Sequence, residues 1–218
     1  MKRRHPSRDT QIRLRVAQEA ARIMVEQGIG DFLLAKRKAA ERLQLHDNSV
    51  LPGNAEIEAA LHEHQRLFHS TTHAIELHEL RHAACRLMRL LRGFEPRLVG
   101  SVLSGVATAY DDIQLHVFVE QPEELAFRLL EHGINPTHAE KKLRYESDRV
   151  ANYPSFKFQA GHQSVEIVAF NTDDLRQAPL SPVNGKPMTR ADLKEVQDLL
   201  RVSQNEPAPL NTTGPAYS

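Results

Sequence analysis

The stretch Leu98–Glu120, LVGSVLSGVATAYDDIQLHVFVE, decides how this chain folds. An apolar run ends in Gly100-Ser101, a small-residue loop containing Gly105 follows, and after Asp111-Asp112 a second run alternates through Ile113, Leu115, Val117 and Val119. This spacing predicts strand, tight turn, strand. Successive side chains on a strand point to opposite faces. Ile113, Leu115, Val117 and Val119 therefore share one face, and Asp112, Gln114, His116 and Phe118 share the other. A polar row starts beside the glycine turn.

Downstream, Pro122–His132 reads as a helix with Gly133 as its stop. Residues 137–153 are charged, and both strand and irregular structure are open there. Ser155–Gln159 alternates, Ala160-Gly161-His162-Gln163 supplies a turn, and Ser164–Phe170 alternates again, which predicts a hairpin. In its second strand Val165, Ile167 and Ala169 take one face. Glu166, Val168 and Phe170 take the other, so Glu166 looks where Asp112 looks if their strands are neighbours. Pro179, Pro182, Gly185 and Pro187 mark a loop, after which Thr189, with Asp192 three residues on, is expected to cap a last helix carrying Val196, Leu199 and Leu200. The polar, Pro/Gly-rich end predicts a disordered tail over 204–218.

Upstream the period is helical. Ile12, Val16, Ala20, Ile23 and Met24 form one stripe that stops at Gly28, and Asp31 can cap a second helix through Leu45. Lys36, Arg37, Lys38 and Arg42 form the solvated face of that second helix. A third helical run, 55–92, changes its apolar face midway: Ile57, Leu61, Phe68 and Ile75 lie together, and Leu77, Leu80, Ala84, Leu87, Met88 and Leu91 lie opposite. That predicts a break near His69-Ser70-Thr71-Thr72 or burial on two sides. The expected organisation is a helical region over 1–95 and an α+β domain over 96–203, with a small mixed sheet flanked by helices.

Composition narrows the function. Lys+Arg and Asp+Glu both number 28 of 218 residues, so no global field draws the chain to nucleic acid or to an anionic membrane. Trp is absent and aromatics are sparse, which argues against stacking on single strands. The single cysteine, Cys85, excludes an intrachain disulfide and suits a reducing compartment. No apolar run approaches the roughly 20 residues a membrane helix needs, and no apolar segment follows the basic start. The expectation is a cytoplasmic protein without membrane contact.

Gly100-Ser101, Asp112-Ile113-Gln114 and Glu166 in Ser164-Val165-Glu166-Ile167-Val168 together resemble the signature of the nucleotidyltransferase superfamily with the polymerase-beta-like fold, which includes minimal and aminoglycoside-type enzymes. The resemblance covers roughly residues 96–172. It implies that Gly100 and Ser101 contact phosphate, that Asp112, Gln114 and Glu166 hold Mg²⁺, and that Glu166 helps the acceptor lose its proton. The implied reaction moves a nucleoside monophosphate from an NTP to a hydroxyl acceptor. Gln114 stands where the family has its second carboxylate. An amide oxygen can still ligate Mg²⁺ but brings no charge. Two readings follow: a transferase, or a nucleotide-binding or regulatory protein that kept the fold without the chemistry. On the same strand face His116 can be a ligand or a satisfied core histidine, and Lys186 a phosphate contact or a turn lysine.

A different class rests on His78-Glu79-Leu80-Arg81-His82. This H-E-x-x-H pattern places two histidines one helical turn apart, as zinc metalloproteases do, with Glu79 as base. Cys85 stands where the extended form of that motif has glycine.

Overall fold

A computed structural model describes residues 8–45, 51–68, 70–108 and 110–205. The chain is an α+β protein. Helices α1 (Arg8–Gln27), α2 (Phe32–Arg42), α3 (Asn54–Phe68) and α4 (Ser70–Leu90) precede the sheet. Strand β1 (Arg97–Val99), the short helix α5 (Gly100–Ser104), β2 (Ile113–Phe118) and α6 (Pro122–Glu131) follow, then β3 (Thr137–Arg144), β4 (Val150–Ala160), β5 (Gln163–Phe170) and α7 (Leu193–Asn205). The sheet order is β1-β2-β5-β4-β3; β2 and β5 run parallel, and every other neighbouring pair is antiparallel.

Alternation on β2 and β5 divides the sheet into two environments. Ile113, Leu115 and Val117 of β2 and Val165, Ile167 and Ala169 of β5 turn to the main core, where they meet Leu80 and Met88 of α4, Leu91 just after it, Leu125 and Leu129 of α6, and Val196 and Leu200 of α7. Cys85 of α4 lies in this core at 0% exposure, and burial raises its thiol pKa. The opposite face carries a smaller cluster of Phe118, Tyr145, Tyr153, Val168 and Phe170. There the Tyr145 hydroxyl donates to Tyr153 Oη at 2.6 Å, and the Tyr153 hydroxyl donates to Asp174 Oδ2 at 3.3 Å, which ties down the 3-10 turn Thr172–Arg176.

A second apolar cluster joins α1, α2 and α3. Ala17, Ala20 and Ala21 of α1 and Ala35 and Ala39 of α2 are buried there, and their small side chains let the helix backbones approach closely. Asp31 caps α2 as expected, accepting from Leu33 N at 2.7 Å and Leu34 N at 3.1 Å. Gly28, at φ +63°, ends α1; the Tyr110 ring lies 2.7 Å from where its Cβ would be. α3 packs on α1 through Ile57 and Leu61, whereas α4 turns its apolar side to the sheet, in keeping with the change of face read in 55–92. Residue 69, inside the expected break, lies outside the described residues. Ile75 departs from its expected stripe, being 57% exposed.

Three further expectations are corrected, and one left open is decided. The loop after Gly100-Ser101 begins with a helical turn, α5. Arg81 of α4 donates to the carbonyls of Val102 at 3.1 Å and Leu103 at 3.2 Å, and His73 Nε2 donates to Gly105 O at 3.0 Å, so α4 satisfies carbonyls that α5 leaves open. The ambiguous segment 137–153 contains β3, the 3-10 turn Glu146–Asp148 and the start of β4. The second helix stops at Arg42 rather than Leu45. Asp192, not Thr189, caps α7: Asp192 Oδ1 accepts from Glu195 N at 2.9 Å, while Asp192 N donates to Glu195 Oε2 at 2.7 Å. α7 extends to Asn205, and residues 206–218 of the expected tail lie outside the described residues.

Leu115, fully buried at the centre of the main core, offers a direct test of this packing. Leu115→Ala is expected to cost about 2–5 kcal/mol of unfolding free energy in urea denaturation, the usual range for a buried leucine truncated in a close-packed interior.

Candidate functional site

The parallel register of β2 and β5 sets Gln114 directly beside Glu166 and His116 beside Val168. Their side chains share the sheet face opposite the main core, where the polar groups are largely buried. Gly100 stands at the edge of this row. It adopts φ +75° where β1 turns into α5, and a Cβ there would lie 2.5 Å from Gln114 Oε1. Only glycine lets the Gln114 amide settle against this turn.

Ser101 is engaged by a neighbour of the residue the resemblance singles out. Its hydroxyl donates to Asp111 Oδ1 at 3.2 Å, and Asp111 Oδ2 accepts from Thr108 N at 2.8 Å and Thr108 Oγ1 at 2.7 Å. Asp111 thus closes the loop between α5 and β2, while Asp112 is half-buried immediately before β2.

Glu166 is 3% exposed, and both carboxylate oxygens are taken. Lys141 Nζ, reaching from β3 across β4, donates to Oε2 at 2.6 Å. Lys157 Nζ lies 3.3 Å from Oε1, which also accepts from Ser155 Oγ at 3.3 Å. The small Ser155 side chain on β4 leaves the path that Lys141 follows. Burial alone would raise the Glu166 carboxyl pKa, but the hydrogen bond and charge of Lys141, with Lys157 behind them, hold it below the usual carboxylate range.

His116 is 3% exposed, and its Nδ1 accepts from Arg190 Nε at 3.1 Å. Burial first, then the positive charges of Arg190 and Lys141, push its pKa down to about 3. It is a neutral, satisfied histidine. The Arg190 guanidinium lies 5.0 Å from the Phe118 ring centroid and 4.9 Å from that of Phe170, and its Nη1 donates to Asp174 O at 3.0 Å. Arg190 thereby pins a strap, residues 177–191, across the polar face. The strap is held at one end by Leu180 N to Arg144 O at 2.6 Å and at the other by paired bonds between Leu98 and Ala191. Asn54 Nδ2 at the start of α3 donates to Pro182 O at 2.8 Å, connecting the strap to the N-terminal helices.

Under the strap lies a cleft of about 480 Å³, whose lining includes Gln114, His116, Lys141, Lys142, Arg144 and Glu166. This volume falls within the range of small-molecule sites, about 300–1,000 Å³. Lys186, in the turn of the strap, is exposed, and its backbone N–H donates to Asn184 Oδ1 at 3.0 Å.

The residues here do not suit a pair of Mg²⁺ ions. Glu166 is already neutralised by two ammonium groups, Gln114 is uncharged, and among the described residues no three Asp, Glu, His or Cys side chains gather to hold a metal. On α4, His78 and His82 stack edge to face with ring centroids 4.7 Å apart, and this pair too lacks a gathered third ligand among the described residues. No helix among the described residues is long and apolar enough to cross a membrane. No family model, curated protein or solved structure matches this chain.

Lys141, Lys157 and Arg190 went unread in the sequence. Counting back from the Gly161-His162 turn places Lys157 opposite Glu166, so this partner was accessible from the hairpin alone. Lys141 and Arg190 carried no local signal.

Two shifted titrations at the site contribute to the acid response. His116 protonates more readily when unfolded, near an ordinary pKa of about 6.5, so the unfolded chain holds the extra proton between that value and about 3. Stability is therefore expected to fall as pH drops through this window. The depressed Glu166 pKa adds a further loss below about 4.3, where the unfolded carboxylate takes up a proton first. Urea midpoints measured across this range should fall with a shallower slope in His116→Gln than in wild type; identical slopes would refute the assignment to His116.

Proposed function

We propose that this chain binds a nucleotide on the polar face of its sheet, in a cleft of nucleotidyltransferase type, and does not transfer the nucleoside monophosphate. The observation that carries the reading is the ion pair of Lys141 with Glu166, at the position the resemblance gives to the third carboxylate and beside Gln114 at the position of the second. Nucleotidyl transfer needs cations that gather on developing phosphate charge, and in the resembling family carboxylates place them. Here the equivalent ground is occupied by lysine. An ammonium group still attracts phosphate but does not lower the barrier as a bridging metal would.

Support also comes from the chain order: strand, glycine turn, short helix and antiparallel strand, with the carboxylate-bearing strand lying parallel beside it. The resemblance implied the glycine turn between two strands and the later carboxylate-bearing strand; the short helix and the parallel pairing are additions to it. Gly100 brings backbone close to the cleft, and Lys141 supplies its cation. An NTP or a shorter nucleotide fits this chemistry, with no acceptor required. The transferase reading needs Mg²⁺ on Asp112, Gln114 and Glu166, and Lys141 and Lys157 would first have to leave Glu166.

Calorimetric titration of NTPs with Mg²⁺ or with EDTA, paired with a labelled-NTP turnover assay, separates these readings. The expected result is binding that changes by less than about tenfold, or 1.4 kcal/mol, on metal removal, with no pyrophosphate release. Mg²⁺-dependent turnover abolished by Asp112→Ala would establish the transferase instead.

A further inference from the structure

The N-terminal helices leave part of their surface open. A groove of about 1100 Å³ runs along the outward side of α1, with α3 as one wall and Leu43, just beyond α2, in its lining. Leu14 of α1 and Leu67 of α3 both line it, and they are 58% and 57% exposed. Large apolar side chains left to water along a groove mark a surface that something else covers. On the α3 wall, Ala59 and Ala60 are small enough to let a helix backbone come close. We propose that the groove seats a second copy of this chain, with α1 of one copy lying antiparallel on α1 of the other about a two-fold axis.

The charges of α1 choose this occupant. Arg15, Glu19, Arg22 and Glu26 all line the groove, and their spacings of four, three and four residues place them on one stripe of the helix. Positive and negative alternate along it. In the middle, Arg22 holds Glu19 at 2.7 Å, and Arg42 of α2 reaches the same carboxylate at 3.0 Å. The ends are open: Arg15 makes no ion pair among the described residues, and Glu26 meets Arg22 only at 3.7 Å. Antiparallel pairing centred midway between Ala20 and Ala21 sets Arg15 opposite Glu26 of the second copy and Glu19 opposite its Arg22. The two-fold axis then repeats both pairs. Parallel pairing in register would set like charge against like, so the stripe fixes the orientation as charges flanking a helix seam do.

The α3 wall does not oppose the approach. Its Glu56 is paired with Arg13 at 2.7 Å and its Glu63 with Arg66 at 2.7 Å. A cationic peptide is the competing occupant, and it would find Glu19, Glu56 and Glu63 already taken. A second copy needs only the two open ends of the stripe, and it brings the complement of each.

Sedimentation equilibrium of the full chain tests this pairing. The chain is expected at twice its 24.7 kDa, with a dissociation constant no weaker than about 100 µM. Arg15→Glu and Glu26→Arg are each expected to weaken the dimer at least about tenfold. A chain carrying both exchanges the two charges, which are again complementary, and is expected to recover to within about threefold of wild type. Leu14→Lys, at an exposed side chain, is expected to give a monomer with an unchanged circular dichroism spectrum. A chain that is monomeric throughout, or a dimer indifferent to Leu14→Lys, overturns the proposal. A double variant no tighter than either single variant overturns the antiparallel register. A monomer that binds a lysine-rich helical peptide, and loses it on Leu14→Lys, gives the groove to a cationic partner instead.

Discussion

The parallel pairing of β2 with β5 is the constraint from which the rest follows. A parallel pair cannot be closed by a short turn, so the chain must cross over between the two strands. It does so through α6 and the β3-β4 hairpin, which places one helix on the main-core face and extends the sheet beyond β5. The same register lines up Ile113 with Val165 and Leu115 with Ile167 on the covered side, and Gln114 with Glu166 on the other. A shift of one residue would turn carboxylate and amide into the apolar core and expose isoleucine. The hydrophobic effect thus positions a polar pair that it does not itself stabilise.

Burying Glu166 creates a second requirement. A lone carboxylate removed from water is strongly disfavoured, and breaking such a pair by removing one partner typically costs about 3–5 kcal/mol. Two lysines from different strands and one serine hydroxyl meet that requirement. Residue size matters as much as charge: Ser155 on β4 lets the Lys141 chain cross. The arrangement holds β3, otherwise a charged edge strand, against the centre of the sheet.

Much of this was legible in local pattern, and the parts that were not share a reason. Alternation in Ile113–Phe118 and Gln163–Phe170 marked the two faces because one side carries only apolar side chains and the other mixes Gln114, His116 and Glu166 with aromatic and apolar ones. Asp31 announced its helix because a cap acts within three residues. α5 was hidden because five residues are too few to display a helical period. β3 was hidden because an edge strand exposed along most of its length, THAEKKLR, has no apolar alternation to show. Asp192 and Thr189 both offer capping side chains, and the reciprocal bond from Glu195 decides between them. At the site, Gly100, Gln114 and Glu166 could be placed from strand pattern. The partners Lys141 and Arg190 lie 25 and 74 positions from the residues they contact, and no local rule reaches that far.

Cys85, sealed between α4 and the sheet, gives the chain a built-in clock for its own opening. The thiolate is the reactive form, and both burial and a raised pKa withhold it from solvent reagents. With no second cysteine to compete, alkylation can proceed only as fast as the helix lifts from the sheet. The rate at which this sulfur is modified in the untouched protein therefore reports how often the main core opens when reagent outpaces reclosing, and how much of it stands open when reagent is slow; a ligand that tightens the sheet would lower both.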